Sequence, residues 1–333
     1  MAKEIFLSII TPMYNASKTI IKMLESVKNQ TDKDLELIII DDGSTDDSYE
    51  IANKYLEESD LKYIIYKDEN RGQSAARNIG IGKASGEYIL FLDSDDYIEN
   101  TLVEVAKKEV LRSNPEILVY DYKRVNEDYT VRENAPQEYT FFNTISPGMD
   151  VFEAYRLNKL RLWTAALIYR RDFILDNNLN FVEGAHAAED LNFIFKSLWN
   201  STKVKVIDKS LAYYYQRKDS LTNTPNIGKN ITVVDSMDDL IEAARKKGLG
   251  LDFERMIESG FAVEHIMYQI LGSLNSKNKK DVLNKIKQQQ VKKYLVESNK
   301  KNNRYGNSMF MWSKLAAYSP ALFIFLYLKK SGK

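Results

Sequence analysis

An α/β fold with a mostly parallel central sheet, flanking helices and a helical C-terminal region is what this sequence predicts. Three observations lead there. Short apolar, β-prone runs alternate with segments whose apolar residues recur at helical spacing, the pattern of βαβ units. The runs end in polar or acidic loop residues, and right-handed crossovers would bring those ends to one edge of the sheet. From about Asn230 onward the spacing is helical only.

Residues 5–10 form the first expected strand, followed by the loop Thr11-Pro12-Met13-Tyr14-Asn15. Ser17 is placed to cap a helix carrying Ile20, Met23, Leu24 and Val27. A second buried strand, 35–40, runs into Asp41-Asp42-Gly43-Ser44-Thr45-Asp46-Asp47. Its glycine permits a tight turn, and Ser44 or Thr45 can cap the helix bearing Ile51, Tyr55 and Leu56. Residues 61–66 are a third strand, and Asn70-Arg71-Gly72-Gln73 leads into a helix through Ala75, Ala76 and Ile79. The fourth strand, 88–92, is apolar enough to be buried on both faces, then stops abruptly in Asp93-Ser94-Asp95-Asp96. Carboxylates crowded at a strand end repel one another and lose solvation. A divalent cation, Mg²⁺ or Mn²⁺, relieves the repulsion and commonly bridges to substrate phosphates. A solvated acidic turn is the plain alternative.

Residues 117–122 read as a further strand, 128–147 as a long irregular connection and 149–159 as a helix. The apolar run 163–169 precedes Arg170-Arg171 and a short helix from Phe173. Glu189-Asp190 opens a helix with Leu191, Phe193, Ile194 and Leu198, and acids there also suit the helix dipole. Two late strands, 204–207 and 211–215, lead into Gln216-Arg217-Lys218-Asp219-Ser220, a cationic loop suited to phosphate.

Composition narrows the class. The chain has 333 residues, 44% hydrophobic and 28% charged, the balance of a soluble globular protein. It has no cysteine, which excludes disulfides, thiolate metal sites and cysteine nucleophiles. Its two histidines, His186 and His265, argue against a multi-histidine metal centre. A strand begins within five residues of the N-terminus, so no signal peptide and a cytoplasmic location are expected.

The net charge of zero is unevenly spread. From Lys277 onward there are 14 Lys and Arg against two acids, Asp281 and Glu297. Such a basic tail suits an anionic surface. Residues 308–318 are apolar and aromatic, Ser319-Pro320 looks like a helix start, and 321–328 are nonpolar or aromatic before Lys329-Lys330. That run is far below the ~20 residues needed to span a bilayer. The expectation is an interfacial helix, peripheral on the inner face of the cell membrane, with docking on a second subunit or on its own core as alternatives. No basic–aromatic interleaving points to nucleic acid.

Four strings together resemble one family. Thr11-Pro12-Met13-Tyr14-Asn15, Ile40-Asp41-Asp42-Gly43-Ser44-Thr45-Asp46, Asn70-Arg71-Gly72 with Ala76-Arg77-Asn78-Ile79-Gly80, and Leu92-Asp93-Ser94-Asp95-Asp96 occur in the order and spacing of GT-A-fold glycosyltransferases of family 2. The resemblance covers about residues 4–222. It implies a Rossmann-like GT-A catalytic domain over 1–225, with a nucleotide-sugar half over about 1–125 and an acceptor half over 126–225. A helical, increasingly basic region (226–304) and a membrane-associating tail (305–333) would follow.

The resemblance also implies roles. Pro12, Tyr14 and Asn15 would form the nucleobase loop, with Asp42 accepting from the base edge and Arg71 nearby. Asp93, with Ser94 beside it, would face the ribose. Asp95 would hold the metal, with Asp96 as a second contact, and Arg217 and Ser220 would close over the phosphates. Asp190, or Glu189 in its place, would be the general base of an inverting transfer from a UDP-sugar. His186 and Trp163 are acceptor-site candidates, a loop histidine and a core tryptophan being the plainer alternatives. The expected acceptor is a membrane-associated glycan or lipid-linked intermediate. Two competing expectations are a catalytically degenerate nucleotide-sugar-binding scaffold and an aspartyl phosphotransferase built on Asp93-Ser94-Asp95.

Overall fold

The structure, a computed structural model, describes residues 5–132, 142–216, 226–302 and 306–331. In chain order the first elements are β1 (Leu7–Met13), α1 (Ile20–Lys28), β2 (Leu35–Asp42), α2 (Ser48–Glu57), β3 (Tyr63–Asp68), α3 (Gln73–Lys83) and β4 (Tyr88–Phe91). They form the parallel half of the sheet, in the order β3-β2-β1-β4. β1, β2 and β4 are buried along their whole length, because helices cover both faces and leave only apolar residues acceptable there. β3 alternates between half-buried and exposed positions, as an edge strand does.

β1 runs three residues further than its apolar pattern suggests, through Thr11, Pro12 and Met13. Proline is tolerated because pairing with β4 ends at Ile10, leaving no partner on that side for a missing N–H. The two expected helix caps are not used as caps. α1 begins after Thr19, and the Ser17 amide donates to Asp46 Oδ2 instead (3.2 Å). α2 begins after Asp47, while Ser44 and Thr45 bond to Asn15.

The remaining elements of this half are β5 (Tyr97–Ile98), α4 (Leu102–Ser113), β6 (Ile117–Val125), β7 (Val131–Arg132), β8 (Ile145–Ser146), α5 (Gly148–Arg156), β9 (Leu167–Arg170), α6 (Arg171–Asp176), α7 (Glu189–Asn200) and β10 (Val204–Tyr215). β9 inserts antiparallel between β4 and β6, so the sheet is parallel at one end and mixed beyond it. The two expected late strands are one, β10, whose register against β6 shifts between Val206 and Ala212. Such an irregularity re-aims a strand without ending it.

Glu36 ties three segments together from inside the sheet. Its buried carboxylate accepts from Ser8 Oγ (2.7 Å), the Ser85 amide (2.7 Å) and Ser85 Oγ (2.8 Å). Burial pushes its pKa up, but these hydrogen bonds, with Lys62, outweigh it and hold Glu36 below the ordinary 4.5. A depressed folded-state pKa gives stability that is present above pH 4.5 and lost as pH falls through the folded value. Glu36→Gln is therefore expected to be less stable than wild type at pH 7, with the gap closing below pH 4.5. Urea midpoints across a pH series measure it, and a gap independent of pH would contradict the assignment.

The chain divides into two compact units, residues 1–183 with 193–217, and residues 184–192 with 218–333. α7 thus begins in the second unit and ends in the first. The second unit is otherwise helical: α8 (Ile227–Asn230), α9 (Val233–Lys246), α10 (Leu251–Met256), α11 (Ala262–Ser273), α12 (Lys279–Lys287), α13 (Gln289–Glu297), α14 (Gly306–Tyr318) and α15 (Pro320–Ser331), with a π-turn at Ile257–Phe261. Its core includes Ile266, Met267, Ile270, Val282, Tyr294 and Leu295. At the π-turn, a side chain on Gly260 would lie 2.2 Å from the Asn302 carbonyl, so only glycine fits.

α14 and α15 fold back on this unit. Phe323 and Ile324 are buried, and Trp312 packs on Phe323 (ring centroids 5.7 Å) and Tyr327 (5.9 Å). Own-core docking therefore accounts for one face of the apolar tail. Met311, Tyr318, Leu322, Phe325 and Leu326 remain exposed. No described helix is long and apolar enough to cross a membrane.

Candidate active site

Register places the loops after β1, β2 and β4 on one edge of the first unit. Met13 lies beside Asp41, and Ile10 beside Phe91, so Asp93 to Asp96 leave the sheet near the level of Pro12 and Met13, where β1 ends. A buried parallel sheet presents its C-terminal edge for ligands, since its faces are covered.

The loop after β1 is pinned to the loop after β2. Asn15, at φ 49°, donates its amide to Ser44 Oγ (3.1 Å), and its side-chain oxygen accepts from the Thr45 amide (2.8 Å). Asp46 accepts from Ser17 and from both the amide and the hydroxyl of Ser48. Tyr14 projects from the pinned loop with about half of its surface open, while Pro12 is buried in the strand. In this arrangement Asn15 holds the loop in shape and Tyr14 stays exposed.

Asp42 is 4% exposed at the end of β2. Oδ1 accepts the Arg71 amide (2.7 Å), and Oδ2 the Gly72 amide (2.9 Å). Gly72, at φ 91°, lets the chain turn there into α3. Burial raises the Asp42 pKa, and the backbone hydrogen bonds oppose this, while nearby Asp68 and Asp41 add to the rise. Oδ1 also takes the Gly72 amide at 3.2 Å, but Oδ2 keeps a second lone pair, so Asp42 can hold this loop and still accept from a ligand. The Arg71 guanidinium reaches Glu183 (2.9 Å) and Asp68 (3.7 Å) across an open surface.

The acid loop after β4 is held from two sides. Arg77, 2% exposed on α3, donates to Asp93 Oδ1 at 2.7 Å, and its guanidinium lies 5.1 Å from the Phe181 ring. Asp96 is 1% exposed and its Oδ1 accepts the Tyr215 amide (2.8 Å), tying the loop to the end of β10. Ser94 and Asp95, between these anchors, are half-buried. Among the described residues no three His, Cys, Asp or Glu side chains are grouped to hold an ion by themselves.

Trp163 packs at the margin of the core, 4.9 Å from the Tyr122 ring and 5.3 Å from Tyr214. Arg217 and Ser220 lie outside the described residues.

The acid pair belongs to the second unit. Glu189 is buried (5% exposed) and Asp190 half-buried in the first turn of α7. The segment before them is stapled to α9. The His186 amide donates to Thr232 Oγ1 (2.8 Å), and Ser236 Oγ donates to the Ala187 carbonyl (2.9 Å). Asn192 Nδ2 donates to the Ser236 carbonyl (2.7 Å) and to Asp239 (2.9 Å). The His186 side chain is exposed.

Sequence reasoning passed over Arg77, Asn78, Asn192 and Glu183. Arg77 and Asn78 stood inside a recognised string without a role. Asn78 exchanges two hydrogen bonds with the Phe181 backbone (3.0 and 2.9 Å), so α3 fixes both the acid loop and the segment 181–183. A buried arginine opposite three aspartates was the available signal.

Comparison with known proteins adds independent observations. The family described as Glycosyl transferase family 2 matches residues 8–176. The chain is 32% identical over 235 residues to the uncharacterized glycosyltransferase YibD of Escherichia coli, covering 68% of this chain and 66% of that protein. It is 31% identical over 267 residues to the glycosyltransferase GlyA of Streptococcus pneumoniae, covering 77% and 38%. It is 31% identical over 215 residues to the poly(ribitol-phosphate) β-N-acetylglucosaminyltransferase TarS of Staphylococcus aureus, covering 63% and 35%. The chain thus spans less than two thirds of these relatives' lengths. Among solved structures, S. aureus TarS 1-349 in complex with UDP-GlcNAc superposes with a TM-score of 0.70 at 22% identity, covering 98% of this chain and 92% of that one. The complex of the same protein with UDP gives 0.67. At such identity the likeness is one of fold.

Proposed function

The chain belongs to glycosyl transferase family 2 and has the GT-A fold, and on that premise we propose that it transfers a sugar from a UDP-sugar, with inversion, to a hydroxyl of a membrane-associated glycan or lipid-linked acceptor. One observation carries the reading: the loops after β1, β2 and β4 share one sheet edge and offer an open tyrosine, a carboxylate with spare lone pairs and a doubly anchored acid loop. The relatives in complex with UDP and UDP-GlcNAc support the donor class.

On this reading Pro12 and Tyr14 bracket the uracil, Asn15 shapes their loop, and Asp42 accepts from the base edge with Arg71 alongside. Asp93, oriented by Arg77, takes the ribose, with Ser94 next to it. Arg217 and Ser220 contribute to the phosphates. A cation that draws most of its shell from water and diphosphate needs only one or two protein carboxylates. Asp95 fits that need, since Asp96 is buried and committed to the Tyr215 amide. When bound, Mg²⁺ or Mn²⁺ would neutralise charge on the departing diphosphate.

Asp190 takes the proton of the acceptor hydroxyl as its oxygen attacks the anomeric carbon and the bond to the diphosphate breaks on the opposite face. Asp190 is preferred over Glu189 because it is the less buried of the pair. His186, whose side chain is open, is an acceptor contact on this reading, whereas Trp163 is better explained as packing. A panel of nucleotide sugars tests the donor class. UDP-sugars are expected to raise the melting temperature, and to be hydrolysed only with Mn²⁺ or Mg²⁺ present. Stabilisation by GDP- or CMP-sugars alone would overturn it.

The acceptor class rests on the tail. Leu322, Phe325 and Leu326 face outward on α15, within a region carrying a net charge of +12 from Lys277 on. Apolar insertion and attraction to anionic headgroups act together in interfacial helices. Phe325→Glu with Leu322→Glu leaves the buried Phe323 and Ile324 in place and is expected to abolish sedimentation with phosphatidylglycerol vesicles, with UDP-sugar hydrolysis unchanged. Equal sedimentation of the variant would remove the membrane from this reading.

A further inference from the structure

A hollow lies in the first unit, and none of the residues assigned to the donor lines it. It measures about 370 Å³, within the range of roughly 300–1,000 Å³ typical of small-molecule sites. One wall is a face of α1 with Lys22 and Glu25, continued by Asn29 just past the end of the helix. The other is β5, with Tyr97 and the following Glu99, and Tyr213 from β10.

The wall is aromatic and built. The Tyr97 and Tyr213 rings stack at 4.6 Å and 16°, and the Tyr213 hydroxyl donates to Glu99. Tyr129 and Tyr215, which do not line the hollow themselves, form a second stack at 5.1 Å and 17°. The Lys22 ammonium joins them, 5.4 Å from the Tyr97 ring and 5.5 Å from the Tyr129 ring, which fixes a cation by ring quadrupoles. Tyr129 holds φ 62°, a strained value for a bulky residue, and remains half exposed.

The chemistry selects among ligands. Two carboxylates against one ammonium leave this wall net negative, which disfavours phosphates and nucleotides. Rings suit the C–H faces of pyranoses, and a sugar hydroxyl both donates and accepts. Glu25 offers acceptors, Lys22 donors, and Asn29 both. We propose that this hollow binds a neutral oligosaccharide and serves as a subsite for the glycan chain on which the enzyme acts. The second clause rests on the transfer reading above; the binding itself does not. Tyr97 follows Asp95 by two residues, so their Cα atoms are no more than about 8 Å apart. A chain held here passes close to the donor loop.

The test uses the full chain and three neutral probes, cellotriose, chitotriose and maltotriose, followed by saturation-transfer NMR and calorimetry. At least one is expected to bind, with UDP not displacing it. Glu25 on α1 and Asn29 at its C-cap are both exposed, so the double variant E25A/N29A keeps the fold. It is expected to weaken that trisaccharide by about tenfold or more, through lost hydrogen bonds to two side chains, with stabilisation by UDP unchanged. Binding of none of the three, binding equal in the variant, or displacement by UDP would each overturn the proposal. Trisaccharide binding without any response to UDP-sugars would leave this site standing and remove the transfer reading instead.

Discussion

Asp190→Asn is expected to lower kcat for glycosyl transfer by about 10²- to 10⁴-fold, the usual contribution of a positioned general base. The amide keeps the size of the side chain but cannot accept the proton of an attacking hydroxyl. Stabilisation by UDP should be unchanged, because the donor loops after β1, β2 and β4 belong to the first unit and Asp190 to the second. The first turn of α7 favours negative charge through its unpaired amides, which suits a carboxylate that must be ionised before attack. Glu189→Gln is expected to act differently. Glu189 is 5% exposed, so its replacement should lower the melting temperature more than the turnover of the folded fraction. Single-turnover rates with thermal melts on both variants separate the two roles. Full transfer activity in Asp190→Asn with activity lost in Glu189→Gln would move the base to Glu189.

Asp93→Ala is expected to cost roughly 1–3 kcal/mol of stability, since it takes a charge-assisted hydrogen bond away from a buried guanidinium. Arg77 carries that guanidinium: it is 2% exposed and meets Asp93 at 2.7 Å. The reverse change, Arg77→Met, should cost less, because the Asp93 side chain keeps 28% of its surface and can be solvated. The double variant should recover part of the stability lost in Asp93→Ala, since no buried guanidinium then misses the Asp93 carboxylate. Neither variant lacking Asp93 should regain stabilisation by UDP. A double-mutant cycle on urea midpoints reads the coupling. Additive losses would mean that Arg77 is held by something other than Asp93, and UDP binding by the double variant would take Asp93 out of the donor site.

The comparison of expected and observed elements follows one line. Elements specified by local periodicity came out close to expectation: β2, β4 and α3 lie where apolar spacing and acidic or glycine punctuation put them. Elements that depend on distant partners did not. Caps expected at Ser17, Ser44 and Thr45 are spent instead on bonds between loops about 30 residues apart. The break expected between two late strands is absorbed as a register shift in β10 against β6. In the same way, the lysine-rich tail was legible as apolar and basic, but its division into a docked face at Phe323 and an outward one at Phe325 was not.

Residue order alone was sufficient to establish an α/β chain of family 2 type with acids at the ends of its strands, because side-chain periods of 2.0 and 3.6 and the strings at loop positions are local properties. How each acid is employed was settled by folding. Asp42 holds the Arg71–Gly72 turn 29 residues away, Asp93 meets a buried arginine, and Asp96 anchors an amide 119 residues on. Hydrogen bonds of that span depend on which surfaces pack together, and no local pattern encodes them.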